Sequence, residues 1–148
     1  MMHMAFFAVL LFLSSGYAIW RGGAPERIVG ASMLVAYVAT LFSHSDFAGR
    51  FTEVELGVLV IDAWLLMVLT YVTLKADRFL PIVVSGLHLA TLGSHAVRMV
   101  DPSIISVTYA VLLSMWSYPM VVFLAVGTWR HQARLRTIGY DRDWSLPT

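Results

Sequence analysis

Asp62 is an acid set in the apolar run Leu56–Leu74, and His88 and His95 stand seven residues apart in another, Phe79–Val100. An ionisable side chain at the centre of a membrane helix costs about 2.5–3.5 kcal/mol on insertion scales, so it needs a partner or water. Counted inward from the outer ends of those runs, Asp62 lies about 9 Å deep and His95 about 8 Å deep. Tyr37 and Tyr109 fall near the same level, and His88 lies closer to the midplane. At the outer boundary His44, Arg98 and Asp101, with Glu53 and Glu55, make a polar rim. A carboxylate and an imidazole at one depth can pass a proton between them, because a histidine ring accepts on one nitrogen while donating from the other. The same pair can equally serve as an interhelical hydrogen bond, and that reading is preferred, since one pair makes a poor pathway.

Other chemistries are thinly represented. With no cysteine, disulfides, thiolate metal sites and thiol nucleophiles are excluded. No catalytic motif and no metal-ligand pattern stands out, so an enzyme is not expected. Histidine is a common axial ligand of haem, and haem b or a quinone are the cofactors to weigh. His88 and His95 project from one face of one helix about 10 Å apart, too far to sandwich a single iron. A haem would require His44 at the rim or a ligand from another subunit.

The elements that carry these residues are five apolar runs: Met4–Trp20, Ile28–Ser43, Leu56–Leu74, Phe79–Val100 and Ile104–Trp129. A spanning helix needs about 17–25 residues, and runs of this length are too long for barrel strands. The expectation is an all-α bundle of about five transmembrane helices over residues 1–129, followed by a basic juxtamembrane tail over 130–148. Composition agrees: 59% of the residues are hydrophobic and 13% charged, with a mean hydropathy of +0.76. A soluble domain carries about a quarter charged residues. The first run has no basic residue before it and no convincing cleavage site, so it is read as a retained span. Gly22-Gly23 can end the first helix and Pro25 suits the first turn of the second. Asp77 is expected to cap the fourth helix, and Asp101-Pro102 to cap and open the fifth. Pro119 should bend the fifth, with Ser114 and Ser117 available to freed backbone groups.

Charge gives the expected direction. Arg21, Arg27, Lys75, Arg78, Arg130, Arg134, Arg136 and Arg142 fall on one side of an alternating five-span chain, and Arg50 and Arg98 on the other. Eight basic residues against two place the N-terminus outside and the tail in the cytoplasm. No nucleic-acid footprint is present. Arg130, Arg134 and Arg136 are expected at anionic headgroups or a partner.

On the fourth helix Gly86, Ala90 and Gly93 share a stripe with Val97, the small-residue spacing that lets membrane helices approach closely. His88 and His95 lie on the opposite face, which suggests a central helix covered on both sides.

Gly93-Ser94-His95-Ala96-Val97-Arg98-Met99-Val100-Asp101 resembles the His-bearing helix of succinate dehydrogenase membrane anchors, but its Gly-to-His and His-to-Asp spacings depart from that pattern, so no function is carried across. The second half is similar to a group of small inner-membrane proteins of sphingomonad-type Alphaproteobacteria. That likeness rests on Arg78-Phe79-Leu80-Pro81, Gly86-Leu87-His88, Ser94-His95, Tyr118-Pro119 and Gly127-Thr128-Trp129. It implies a multi-span bundle in a bacterial inner membrane and assigns no activity. The functional expectation is an accessory or scaffolding subunit of a respiratory or photosynthetic membrane complex, partnered by lipids and other membrane subunits. The alternatives are a haem- or quinone-binding anchor and a proton-coupled carrier using Asp62 and His95.

Overall fold

The computed structural model of the chain describes residues 2–43, 56–101 and 106–145. Five α-helices follow one another: α1 (Met2–Arg21), α2 (Ala24–Phe42), α3 (Leu56–Lys75), α4 (Phe79–Val100) and α5 (Ser106–Ile138). Among the described residues the only extended pairing is an isolated bridge between Ala76 and Trp144. The helices α2, α3, α4 and α5 (from Val111) are long and apolar enough to cross a membrane, while α1 is apolar but shorter over Ala5–Arg21. Mid-helix residues such as Leu13, Val60, Met67 and Leu89 are exposed on the outside of the bundle, an apolar surface suited to lipid.

Each helix packs on the next in chain order, and α5 returns to α1, so the bundle closes as a ring. Successive helices are antiparallel; with an odd number in the ring, α1 and α5 run side by side in the same direction. Tyr118 of α5 packs on Phe6 and Phe7 of α1, and further along Gln132 donates to the carbonyl of Arg21. The ring is filled by Leu11, Val29, Met33, Leu65, Leu69, Val72, Leu80, Val84, Val121 and Leu124.

The helix in touch with all four others is α2, not α4. On α4 the buried residues are Leu80, Pro81, Val84, His88, Thr91, Ser94, His95 and Arg98. Gly86 and Gly93 are exposed, with no atom within 4 Å of where a Cβ would stand, and Ala90 is half-buried. The expected helix-packing role of Gly86, Ala90 and Gly93 is therefore not used inside this chain. The physical reason is that α4 can bury one stripe only, and the polar stripe has more to lose in lipid. Close approach occurs instead between α1 and α2, where a Cβ on Gly30 would lie 3.2 Å from Ala18 Cβ and 3.3 Å from the Ser15 carbonyl oxygen.

Caps also differ from expectation. Gly22-Gly23 do separate α1 from α2, and Pro25 is in the first turn of α2. Arg78 rather than Asp77 is the N-cap of α4, without a side-chain cap bond. Asp101 closes α4, its N–H donating to the Val97 carbonyl at 2.9 Å, and α5 begins only at Ser106. α5 runs through Pro119 and continues past Trp129 to Ile138. Ser117 donates to Leu113, a back-bond of the kind common where hydroxyls sit in apolar helices.

Beyond α5 the chain turns at Gly139, whose φ of 75° favours glycine, and residues after it fold back on the bundle. Ser145 donates from its N–H and its hydroxyl to the Lys75 carbonyl, at 2.8 and 2.9 Å.

Candidate functional site

The buried stripe of α4 brings its ring nitrogens to α3 on one side and α5 on the other. Nε2 of His95 lies 2.9 Å from Oδ2 of Asp62, and its Nδ1 lies 2.6 Å from the hydroxyl of Tyr109. A carboxylate only accepts, so Nε2 carries the hydrogen of the neutral ring and Tyr109 donates to Nδ1, a tautomer assigned from the network. His88, about two turns along α4 toward the basic end, donates from Nε2 to the backbone carbonyl of Asp62 at 2.9 Å. His88 thus holds the turn of α3 that presents the carboxylate. The rings of His95 and Tyr109 meet edge-on with centroids 5.7 Å apart, and the Arg98 guanidinium stands 5.8 Å from the Tyr109 ring centroid.

His95 is 1% exposed and Tyr109 2%, whereas the Asp62 side chain retains 16%. Asp62 is therefore the accessible end of the chain and Tyr109 the closed end. Between His88 and His95 on the same stripe, the Thr91 hydroxyl is buried with no hydrogen-bond partner among the described residues. Toward the basic end the polar stripe stops at Val84, where Leu69, Val72, Leu80, Val121 and Leu124 fill the ring. The polar chain occupies one half of the bundle only.

Of the residues that sequence depth placed at or near one level, the structure brings Asp62, His95 and Tyr109 into contact, with His88 on the Asp62 backbone. Tyr37 does not join them. It packs among Phe7 and Phe12, each with ring centroids 6.1 Å away, in an aromatic cluster between α1 and α2. Arg98 is buried beside Tyr109, deeper than a rim position implies, and Asp101 is exposed at the end of α4. His44 lies outside the described residues.

A haem iron fits poorly here. Both nitrogens of His95 are engaged, and Nε2 of His88 is spent on the Asp62 carbonyl. Ligation would break the chain just described.

The opposite end holds an ion cluster that sequence reasoning missed. Arg78 donates from Nη1 to Glu26, from Nη2 to Asp143 at 2.7 Å, and from Nε to the Arg142 carbonyl at 3.2 Å. The same Nη2 lies 3.0 Å from Asp141. Asp141 also accepts from Arg134 through both its oxygens, at 2.7 and 3.0 Å, and from His131 at 2.5 Å. Gly23 lies against it: a Cβ there would stand 2.7 Å from Nη1 of Arg78 and would make the side-chain ends of Arg78 and Asp143 shift. Burial works against the charge of Asp141, but the hydrogen bonds from Arg134 and His131 and the charge of nearby Arg78 outweigh it, so its carboxyl sits below the usual carboxylate value. Arg134, expected at lipid or a partner, is occupied by the chain's own tail, while Arg130 and Arg136 remain exposed. Residues 141–145 of the tail make contacts within this chain. The cluster's acids, Glu26, Asp141 and Asp143, were the available signal: with Asp77 they are the four carboxylate side chains on the side that carries eight basic residues.

No protein family, curated protein or solved structure matches the chain.

Proposed function

We propose that the protein is a multi-pass membrane protein that takes up and releases a proton at Asp62, His95 and Tyr109, with its basic end toward the cytoplasm. In this reading α1 crosses with the other four, so the polar chain lies in the outer half of a bacterial inner membrane. The observation that carries the reading is the unbroken hydrogen-bonded line from carboxylate to imidazole to phenol inside apolar helices.

The chemistry follows from the atoms. An added proton enters at Asp62, the accessible member. It is held there as a carboxylic acid, or across the 2.9 Å contact as an imidazolium facing a carboxylate. In the second form both ring nitrogens donate, and the Tyr109 oxygen accepts from Nδ1 while its own hydrogen turns away. Tyr109 thereby adapts to either protonation state without movement of a helix. Among the described residues no hydrogen-bonded line continues from His88 toward the basic end, so the proton leaves by the side it entered. The site is a one-sided acid–base group serving events at that face, and not a conduit through the bundle.

The test is infrared difference spectroscopy of the purified chain between acidic and alkaline buffer, across the range where carboxylates and histidines titrate. We expect a carboxyl band that disappears in Asp62→Asn and shifts in His95→Gln, which keeps a donor toward Asp62. A wild-type difference spectrum unchanged by either variant, with both folded, leaves only the structural hydrogen bond and overturns the reading.

A second reading is favoured by the uncovered Gly86 and Gly93 face of α4, which another membrane helix can approach closely. It makes the chain an accessory subunit of a larger membrane complex, with the proton site working for that assembly. Blue-native electrophoresis from native membrane should then show co-migration with larger subunits, and migration as a lone monomer removes it.

A further inference from the structure

At the basic end, the parallel neighbours α1 and α5 part to leave an open cleft of about 250 Å³. Its lining is Tyr17 from α1 and Trp129, Gln132, Ala133, Arg136 and Thr137 from α5. Gln132 already donates to the Arg21 carbonyl and Thr137 to the Ala133 carbonyl, so Arg136 is the cation left to meet a ligand. The neighbouring ion cluster sharpens this. Glu26, Asp141 and Asp143 are all drawn onto Arg78 and Arg134, and among the described residues no carboxylate pairs with Arg21, Arg130 or Arg136. Arg136 is therefore the one cation lining the cleft, and among the described residues it has no acidic partner.

The depth of the cleft is equally specific. Trp129 directly precedes Arg130, and Tyr17 lies one turn before Arg21, so an indole and a phenol stand where apolar helix gives way to charge. That is the level such rings prefer, between acyl chains and headgroups. One and two turns deeper on the same helix faces come Leu13 on α1 and Val126 and Val122 on α5, all exposed. An occupant must thus be anionic at one end and apolar for the rest of its length.

We propose that this cleft binds one anionic phospholipid from the surrounding leaflet, its phosphate on Arg136 and an acyl chain along Leu13, Val122 and Val126. The proposal rests on the membrane reading of α1 and α5 and is independent of the proton site. A bound lipid bridges the first and last helices at the seam where the ring closes.

The test is native mass spectrometry of the full chain in detergent, titrated with phosphatidylglycerol, phosphatidylcholine of the same acyl chains, or glycerol phosphate. We expect one phosphatidylglycerol retained about fivefold or more over phosphatidylcholine, the scale of one basic residue at a headgroup. Arg136→Gln should bring the two lipids level, and Arg142→Gln, a surface charge away from the cleft, should leave the preference intact. Equal retention of both lipids by the wild type overturns the proposal. So does an equal loss in the two variants, which means general surface charge. Binding of glycerol phosphate as tight as that of the lipid points to a soluble anion and overturns it too. Trp129→Ala weakens both lipids while keeping the order between them if the ring seats the glycerol region. Should Arg136→Gln misfold, a Trp129→Ala chain that folds yet retains both lipids as the wild type does overturns it as well.

Discussion

Tyr109 shows how one hydroxyl can decide what a buried histidine is able to do. Its hydroxyl lies 2.6 Å from Nδ1 of His95, so Tyr109→Phe leaves a buried ring nitrogen without that donor. The expected cost is about 1–3 kcal/mol, read as a lower midpoint of thermal unfolding in detergent, with the Asp62 infrared band displaced. Thr91 predicts the opposite sign. Its hydroxyl is buried without a partner among the described residues, so Thr91→Val should be neutral or stabilise by about 1 kcal/mol. A marked loss of stability in that variant contradicts the packing of α4 given above. Depth along each apolar run put Asp62, His95, Tyr109 and Tyr37 at one level and His88 nearer the midplane, because a helix rises evenly along its axis. Depth carries no azimuth, and that is why Tyr37, at the same level, turned out to face Phe7 and Phe12.

Among the elements, α4 and the tail are the instructive pair. The periodicity of α4 displays two stripes, one of small residues and one of His88, Thr91, His95 and Arg98, and periodicity cannot say which of them turns inward. The outcome follows from relative cost, since a glycine against lipid forfeits only packing and a buried histidine or arginine avoids a far larger penalty. Gly30→Leu should therefore destabilise by about 1–3 kcal/mol through overpacking against Ala18 and Ser15, while Gly86→Leu, with open space beside it, should leave the midpoint unchanged. The tail was not legible because its charges read as a topological signal, and nothing local announces that Arg78 will reach residues 64 and 65 positions later. Removing Arg78 strands Glu26, which is 1% exposed, and Arg78→Ala should cost about 3–5 kcal/mol. The tail also has a pH signature. The native carboxyl of Asp141 is depressed, so its contribution is full above the unfolded value, about pH 4, and is lost as pH falls through the native one. Hydrogen exchange of residues 139–145 should remain slow near neutrality and accelerate in acid, and Asp141→Asn should be fast at both.

The whole molecule has a division of labour along its length. One half of the ring encloses the Asp62–His95–Tyr109 line, the other half packs apolar side chains with the hydroxyls of Ser14, Ser15, Ser32 and Thr128, and beyond it lies the Arg78 cluster. Element positions were largely readable from hydrophobic runs, whose ends shifted by a few residues where Ser106 opens α5 late and Ile138 ends it beyond the apolar stretch. Ring closure was not readable, since which helices become neighbours depends on contacts between distant segments. If the uncovered face of α4 meets another subunit, Gly93→Leu should abolish co-migration on native gels while the isolated chain keeps its unfolding midpoint.

The Arg78 cluster also imposes an order on synthesis. Arg78 and Glu26, 52 residues apart, can neutralise one another as soon as α4 has emerged, so neither charge enters the bilayer region alone. Asp143 comes 65 residues after Arg78, a delay of about 3–13 s at usual elongation rates. Both α4 and α5 are made within that interval, and until the tail acids arrive Glu26 is the one acid of the cluster available to Arg78.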